Sequence, residues 1–170
     1  LDHSEDAAYG QQPLAFYNHH YRSTCYLPLL IFEGLSGALV SAVLRPGKRP
    51  TGAENTMILK RVLELIRRHF PDTHILVRGD GHFANPELMR LIGAIPNTDF
   101  IFGLGGNAVL NRKAEPVLQQ ARNLYAQRLD GYPSSVRLYE EFHYAAASWP
   151  KRFRVILKAE VMALGDNPRF

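Results

Sequence analysis

Short apolar runs that alternate with amphipathic segments constrain most strongly what this chain can fold into. Residues 26–33 and 38–45 are two such runs, separated by the turn sequence GLSG. This pattern predicts an antiparallel hairpin with a four-residue connection. Residues 1–12 are polar and turn-like after Asp2, so we expect little regular structure ahead of the hairpin.

Residues 54–70 give the clearest helix prediction. Their apolar side chains recur at helical spacing, and Pro71 prevents the helix from continuing. The apolar side chains expected on the buried face are Ile58, Val62, Leu65 and Ile66.

The alternation continues to the end of the chain. Strands are expected at 74–78, 99–104, 136–147 and 152–161, and helices at 86–93 and 114–128. An antiparallel opening followed by strand–helix alternation favours an α/β fold, in which a mixed sheet is flanked by helices. Sites in such sheets collect at the carboxyl ends of strands.

Composition excludes several classes of protein. With 170 residues, 46% of them hydrophobic, the chain is long enough for one compact domain over 1–170 and too apolar for a disordered tail. No apolar run approaches the roughly 20 residues of a spanning helix. Cys25 is the single cysteine, which excludes a disulfide framework. Without a signal sequence, a reducing, cytoplasmic setting is expected.

Asp80 lies where an α/β sheet places a site, directly after the strand predicted at 74–78 and between two glycines. A carboxylate at such a position suits Mg²⁺, which prefers oxygen ligands. The alternative is a turn aspartate that caps the next helix. Asp2 follows an apolar residue and would also lie at a strand end if a strand precedes it, and the alternative there is an ordinary solvated carboxylate.

The chain carries 20 Lys and Arg against 16 Asp and Glu, a formal net charge of +4. A mild basic excess is compatible with a phosphate-rich partner. If the basic side chains gather on one face near Asp80, they would form a groove for a nucleic-acid backbone, and otherwise they are a solvated surface. The candidate contacts are Arg45, Lys48, Arg49, Arg78 and His82.

Several motifs resemble a known family when they are taken in order. Residues 1–6 (LDHSED), followed by Gly-Gln-Gln at 10–12, resemble the first-aspartate motif of the DDE transposases of bacterial insertion sequences. In that motif an Asp two residues before a Ser or Thr ends the first strand. Residues 26–29 and 44–47 resemble the hairpin that follows it.

The second-aspartate motif of the same family is similar to residues 77–83 (VRGDGHF), with Gly81 in place of the usual Ser. Residues 102–107 resemble the strand and loop that come next. Residues 148–149, 154–155 and 167–170 resemble the later strands, so the similarity runs over nearly the whole chain.

The resemblance implies an RNase H-like fold with Asp2 and Asp80 as the first two members of a catalytic carboxylate triad. They would hold Mg²⁺ or Mn²⁺ in a two-metal site, and we expect them to be neighbours on adjacent strands. It also implies DNA transposition, with DNA as the partner, a homodimeric full-length enzyme and a cytoplasmic, nucleoid-associated location.

The third carboxylate of the family is a Glu within a Tyr…Arg…Glu…Lys pattern, which this sequence does not contain. The chain begins with Leu1 rather than Met, and both ends look cut, so we expect a fragment that is inactive or nearly so by itself. The DNA-end-binding region is expected before residue 1 and the catalytic Glu after residue 170. Two alternatives stay open: an RNase H-like nuclease completed by Glu160 or Glu141, and a non-catalytic DNA-binding remnant.

Overall fold

The computed structural model describes residues 1–129 and 132–170. The described residues form a mixed α/β structure with three α-helices and four small sheets. They divide into two compact units, Leu1–Phe102 and Gly103–Phe170. We call these unit 1 and unit 2, and each is described by itself.

Unit 1 opens with six short strands, which are followed by helices and a parallel strand pair. The strands are β1 (Asp2–His3), β2 (Asp6–Ala7), β3 (Phe16–Asn18), β4 (Ser23–Tyr26), β5 (Leu29–Phe32) and β6 (Leu39–Val43). Then come α1 (Gly52–His69), β7 (Ile75–Gly79), the 3₁₀ turn η1 (Gly81–Phe83), α2 (Pro86–Gly93) and β8 (Thr98–Phe102). The strands β1, β2 and β3 were not predicted, because their sequences carry no apolar alternation, and β4 was predicted only at Tyr26.

The predicted hairpin is confirmed as β5 paired with β6, in antiparallel register from Leu29 opposite Val43. The run predicted as one strand at 26–33 is two strands, β4 and β5, which join different sheets. β4 pairs with β2 and β3, whereas β5 pairs with β1 and β6. Pro28 separates them, and because proline lacks a backbone N–H it cannot continue a ladder on both sides.

The helix predicted at 54–70 is confirmed as α1, which begins two residues earlier. Thr51 and Glu54 form a capping box, in which each side chain accepts a hydrogen bond from the backbone N–H of the other residue. The buried positions are Asn55, Leu59 and Leu63, whereas Leu65, which was expected to face the core, is 53% exposed. The buried face is therefore rotated from the predicted one.

β7 and β8 are parallel neighbours, with Ile75 opposite Thr98 and Gly79 opposite Phe102. They confirm the strands predicted at 74–78 and 99–104, each to within two residues. Between them, α2 begins at Pro86 with Asn85 as its N-cap, as predicted. The core of unit 1 packs the hairpin, α1, α2 and β7 around Leu29, Ile31, Leu59, Leu63, Val77, Phe83, Leu88 and Ile92.

Unit 2 contains α3 (Ala108–Ala126) and an antiparallel sheet of β9 (Ser135–Tyr144), β10 (Phe153–Met162) and β11 (Gly165–Arg169), with β10 in the centre. α3 begins six residues before its predicted start, because the Asn107 side chain accepts from the N–H groups of Val109 and Leu110 and caps it there. β11 was indicated only by the family resemblance. It contains Pro168, which is compatible with an edge strand.

The core of unit 2 lies between α3 and the sheet and consists of Ala114, Val117, Leu118, Ala121, Leu157, Ala159 and Val161. None of the helices in the described part of the chain is long and apolar enough to cross a membrane.

A substitution at Gly47 tests how closely the chain that follows β6 packs against the backbone of β3 and β4. A Cβ at Gly47 would overlap the carbonyl oxygen of Cys25 and lie 2.8 Å from the carbonyl oxygen of Phe16. Because both neighbours are backbone, Gly47→Ala is expected to lower the free energy of unfolding by about 3 kcal/mol, measured by urea denaturation. Gly34→Ala is the matched control, since a Cβ there meets nothing within 4 Å. Equal stability of the two variants would contradict the packing.

Candidate functional site

The two aspartates singled out by the sequence both lie in unit 1. Asp2 is the first residue of β1, where it is exposed and stands opposite Leu30 of β5. Asp80 directly follows β7, and its side chain is half exposed. Both carboxylates are therefore open to solvent at strand positions.

A backbone hydrogen bond links the two segments that carry these aspartates. The backbone nitrogen of Leu1 donates to the carbonyl oxygen of Arg78 at 2.8 Å. Leu1 immediately precedes Asp2, and Arg78 lies two residues before Asp80. β1 belongs to the sheet with β5 and β6, and β7 belongs to the sheet with β8. The expectation that Asp2 and Asp80 lie on adjacent strands is therefore not met in the described part of the chain, because the bond from Leu1 to Arg78 joins segments next to two separate small sheets.

Asp80 also caps the 3₁₀ turn that follows it, and a capping role was the alternative interpretation of this residue. One carboxylate oxygen, Oδ1, accepts from the backbone N–H of His82 at 3.0 Å. The other, Oδ2, lies 3.0 Å from Nδ1 of the His82 ring. A cation that bound through Oδ2 would have to displace the His82 ring from this contact.

His3 is a buried link between the two segments. Its side chain is only 6% exposed, and its ring stacks on Phe83 with centroids 5.1 Å apart. It also meets the His82 ring edge-on at 6.2 Å. Burial, followed by the positive charges of Arg45 and His82, lowers the pKa of His3. The imidazole is therefore neutral at pH 7, as suits a ring stacked on an apolar one.

Behind His3 lies a cluster of buried polar side chains, which we call the buried polar cluster: His3, Arg45 and Asn55. Arg45 is 5% exposed and Asn55 1% exposed. The ring nitrogens of His3 and the amide of Asn55 make no hydrogen bond of ordinary geometry among the described residues, and neither does one terminal nitrogen of Arg45. The Asn55 side chain nevertheless acts on His3 as a hydrogen-bond partner, which partly opposes the lowering of the His3 pKa. The other terminal nitrogen of Arg45 pairs with Glu54 at 3.0 Å.

Sequence reasoning missed Tyr21, whose hydroxyl contacts the segment that carries Asp2. Its hydroxyl donates to the carbonyl oxygen of His3 at 3.5 Å. Burial raises the pKa of Tyr21, and the negative charges of Asp2, Glu5 and Asp80 raise it further. The carboxylates of Asp2 and Asp80 thus both contribute to the raised pKa of Tyr21. No sequence motif surrounds Tyr21, so only its placement by β3 and β4 reveals it.

The candidate DNA contacts divide into one buried and four accessible side chains. Arg45 is buried against Glu54, so its guanidinium is not available to a partner in solvent, contrary to the expectation from sequence. The pattern around Arg45 could not show this, because a basic residue at a strand end is normally exposed. Lys48, Arg49 and Arg78 are exposed and His82 is 44% exposed, and Lys48 lies over the Phe16 ring at 4.1 Å.

The carboxylates considered as a third ligand all lie in unit 2, where two of them are paired. Glu160 is 3% exposed and accepts hydrogen bonds from Arg137, Lys158 and Asn167. These bonds, chiefly that from Arg137, lower its pKa to about 2. Glu141 pairs with Arg154 at 2.8 Å. Both carboxylates neutralise cations of their own sheet, and Glu140 is exposed on β9.

Asp2 and Asp80 supply the oxygen donors that Mg²⁺ and Mn²⁺ prefer. Two carboxylates are fewer ligands than a closed metal site offers, and within residues 1–129 and 132–170 no group of three or more His, Cys, Asp or Glu is placed to hold a metal ion. The donor set fits a hard divalent cation in chemical type, with most of its coordination left to water.

Comparison with known proteins identifies a family that matches this chain. The model of the family described as transposase DDE domain group 1 matches residues 1–170. No curated protein and no solved structure shows significant similarity to the chain.

The ion pairs of Glu160 predict a dependence of stability on pH. Its pKa is lowered from 4.5 to about 2 in the folded state, so the carboxylate stabilises the fold above pH 4.5 and this contribution is lost as the pH falls to 2. Thermal unfolding measured across this pH range should show that stability falls more steeply with decreasing pH for the original chain than for Glu160→Gln. Glu140→Gln, which removes an exposed carboxylate of β9, should keep the steep loss. Parallel curves for the original chain and Glu160→Gln would refute the assignment.

Proposed function

Since this chain belongs to the transposase DDE domain group 1 family, we propose that it forms part of the RNase H-like catalytic core of an insertion-sequence DDE transposase. The complete enzyme cleaves DNA strands at the ends of an element and joins them to a target. We further propose that Asp2 and Asp80 hold the divalent cation, Mg²⁺ or Mn²⁺. The partner of the complete transposase is DNA. The full-length enzyme works as a homodimer and acts in the cytoplasm, at the nucleoid.

The observation that carries this proposal is the hydrogen bond from Leu1 to Arg78 in a chain matched by the family over its whole length. It ties the segment of the first aspartate to that of the second, although 78 positions separate the two along the chain. The ring of His3, the residue after Asp2, stacks on Phe83 and meets His82 edge-on, which supports the same arrangement. Parallel pairing of β7 and β8 supports an RNase H-like sheet.

The proposed chemistry suits these residues. In cleavage, a water oxygen forms a bond to phosphorus while the bond from phosphorus to the 3′ oxygen breaks, which leaves a 3′ hydroxyl and a 5′ phosphate. In transfer, that 3′ hydroxyl attacks a target phosphodiester and releases a new 3′ hydroxyl. Divalent cations in such a site stabilise the attacking and leaving oxygens. Asp2 and Asp80 hold ligand oxygens at fixed strand positions, and the exposed Lys48, Arg49 and Arg78 neutralise phosphate charge.

This chain by itself is proposed to be inactive or nearly so. Two carboxylates leave the cation mostly hydrated and weakly held. The third carboxylate of the family has no counterpart by motif in this sequence. Glu160 and Glu141 are engaged with cations of unit 2, which disfavours the alternative of a nuclease completed by either of them.

Metal binding tests the assignment of Asp80. Asp80→Asn is expected to weaken binding of Mn²⁺ by about 10-fold or more, because it removes a ligand charge. Titration calorimetry or the electron paramagnetic resonance of free Mn²⁺ measures this directly. Asp99→Asn is the matched control, since Asp99 also lies on the parallel pair and also contacts a histidine, His74, at 2.8 Å. Equal affinity of both variants for Mn²⁺ would show that Asp80 is not a metal ligand.

A plasmid-nicking assay tests whether this chain is inactive by itself. With Mg²⁺ present, the purified chain is expected to leave supercoiled plasmid intact, because the ligand set is incomplete. Strong nicking that Asp80→Ala abolishes would refute the inactivity while supporting the site. Metal-independent, salt-sensitive DNA binding without a measurable Mn²⁺ site would instead identify a non-catalytic remnant.

A further inference from the structure

Unit 2 contains an open cleft of about 440 Å³, and none of its lining residues has been assigned a role above. One wall is the start of α3, with Val109 and Lys113. The other is formed by the end of β9, the three alanines at 145–147 and Arg152 before β10. We call this the α3–β9 cleft.

The lining of the α3–β9 cleft carries positive charge and no carboxylate. Lys113, His143 and Arg152 all line it and are exposed. Neither Lys113 nor Arg152 has an ion-pair partner among the residues that the structure describes. Lys113 instead lies 5.1 Å from the ring centroid of Phe142, a contact that keeps its full charge.

Four of the five described carboxylates of unit 2 are paired with other cations, and the fifth, Glu140 on β9, does not line the cleft. Arg122 pairs with Glu115 and Asp166, and Arg154 pairs with Glu141. Glu160 is held by Arg137 and Lys158, as described above. The charge of the cleft is thus left for a ligand to neutralise.

An aromatic cluster holds one rim of the cleft in place. Trp149 packs edge-on against Tyr144 and Phe153, with centroids 5.3 and 5.7 Å apart. The hydroxyl of Tyr144 accepts from the Asn107 side chain, which caps α3. The cations are therefore presented on a preformed rim, which reduces the ordering cost of binding.

We propose that the α3–β9 cleft binds the phosphodiester backbone of DNA, with Lys113 and Arg152 each contacting a phosphate. The inference rests on the proposed function, that the chain acts on DNA. Unpaired cations on two walls of an open cleft suit a polyanion that passes through it. An acidic peptide would satisfy the same charges, and the membership of the chain in a transposase family favours DNA over it.

Two arginines of one segment provide the test. Arg152 lines the cleft, whereas Arg154, two residues later, is paired with Glu141. Binding of the full chain to a fluorescently labelled DNA duplex is measured by anisotropy over a range of salt concentrations. Arg152→Gln and Lys113→Gln are each expected to weaken binding and to reduce the slope of log affinity against log salt by about 0.9, the value for one lost phosphate contact. Arg154→Gln is expected to leave the slope unchanged.

Each outcome decides the proposal. Slopes that fall for Arg152→Gln and Lys113→Gln but not for Arg154→Gln support it. Equal slopes in all four proteins, absence of DNA binding at low salt, or stronger competition by polyglutamate than by unlabelled DNA would overturn it. Mn²⁺ binding is measured in the same variants. If it stays intact while the cleft variants bind DNA normally, the cleft proposal fails and the proposed function stands.

Discussion

The buried ring of Phe83 is the contact on which the candidate site depends. It packs in the core of unit 1 with Leu59 and Val77, stacks on His3, and lies so close to Gly79 that a Cβ there would approach it to 2.6 Å. His3 follows Asp2, and Gly79 precedes Asp80. Because close-packed side chains resist displacement, one apolar ring fixes the positions of both acidic segments.

Some charged side chains of this protein form ion pairs within the fold, and others do not. Glu160 and Arg122 are held in ion pairs within unit 2, and Arg45 is buried against Glu54. Asp2, Lys113 and Arg152 have no such ion-pair partner within the described parts of the chain. A charge that the fold leaves unpaired at the surface can bind a ligand without first breaking an internal contact, so these residues are the better candidates for function.

Local sequence predicted the elements whose signals are local. α1 shows helical spacing and a proline stop, and α2 shows Asn-Pro at its start, so both could be recognised from neighbouring residues. The change of partner at Pro28 could not, because strand pairing depends on residues far apart in the chain. Arg45 was misjudged for the same reason: its burial is decided by packing beside His3 and α1, which no pattern around residue 45 records.

The sequence by itself determined the order of strands and helices from the hairpin to β10, the two aspartate motifs and the family to which they point. It could do so because periodicity and motifs are properties of neighbouring residues. Only the tertiary structure decided that Leu1 bonds to Arg78, that the Tyr21 hydroxyl contacts the carbonyl of His3 and that Glu160 is already paired. Those facts depend on which distant segments share a core, and that is set by the packing of the whole unit rather than by any local stretch of residues.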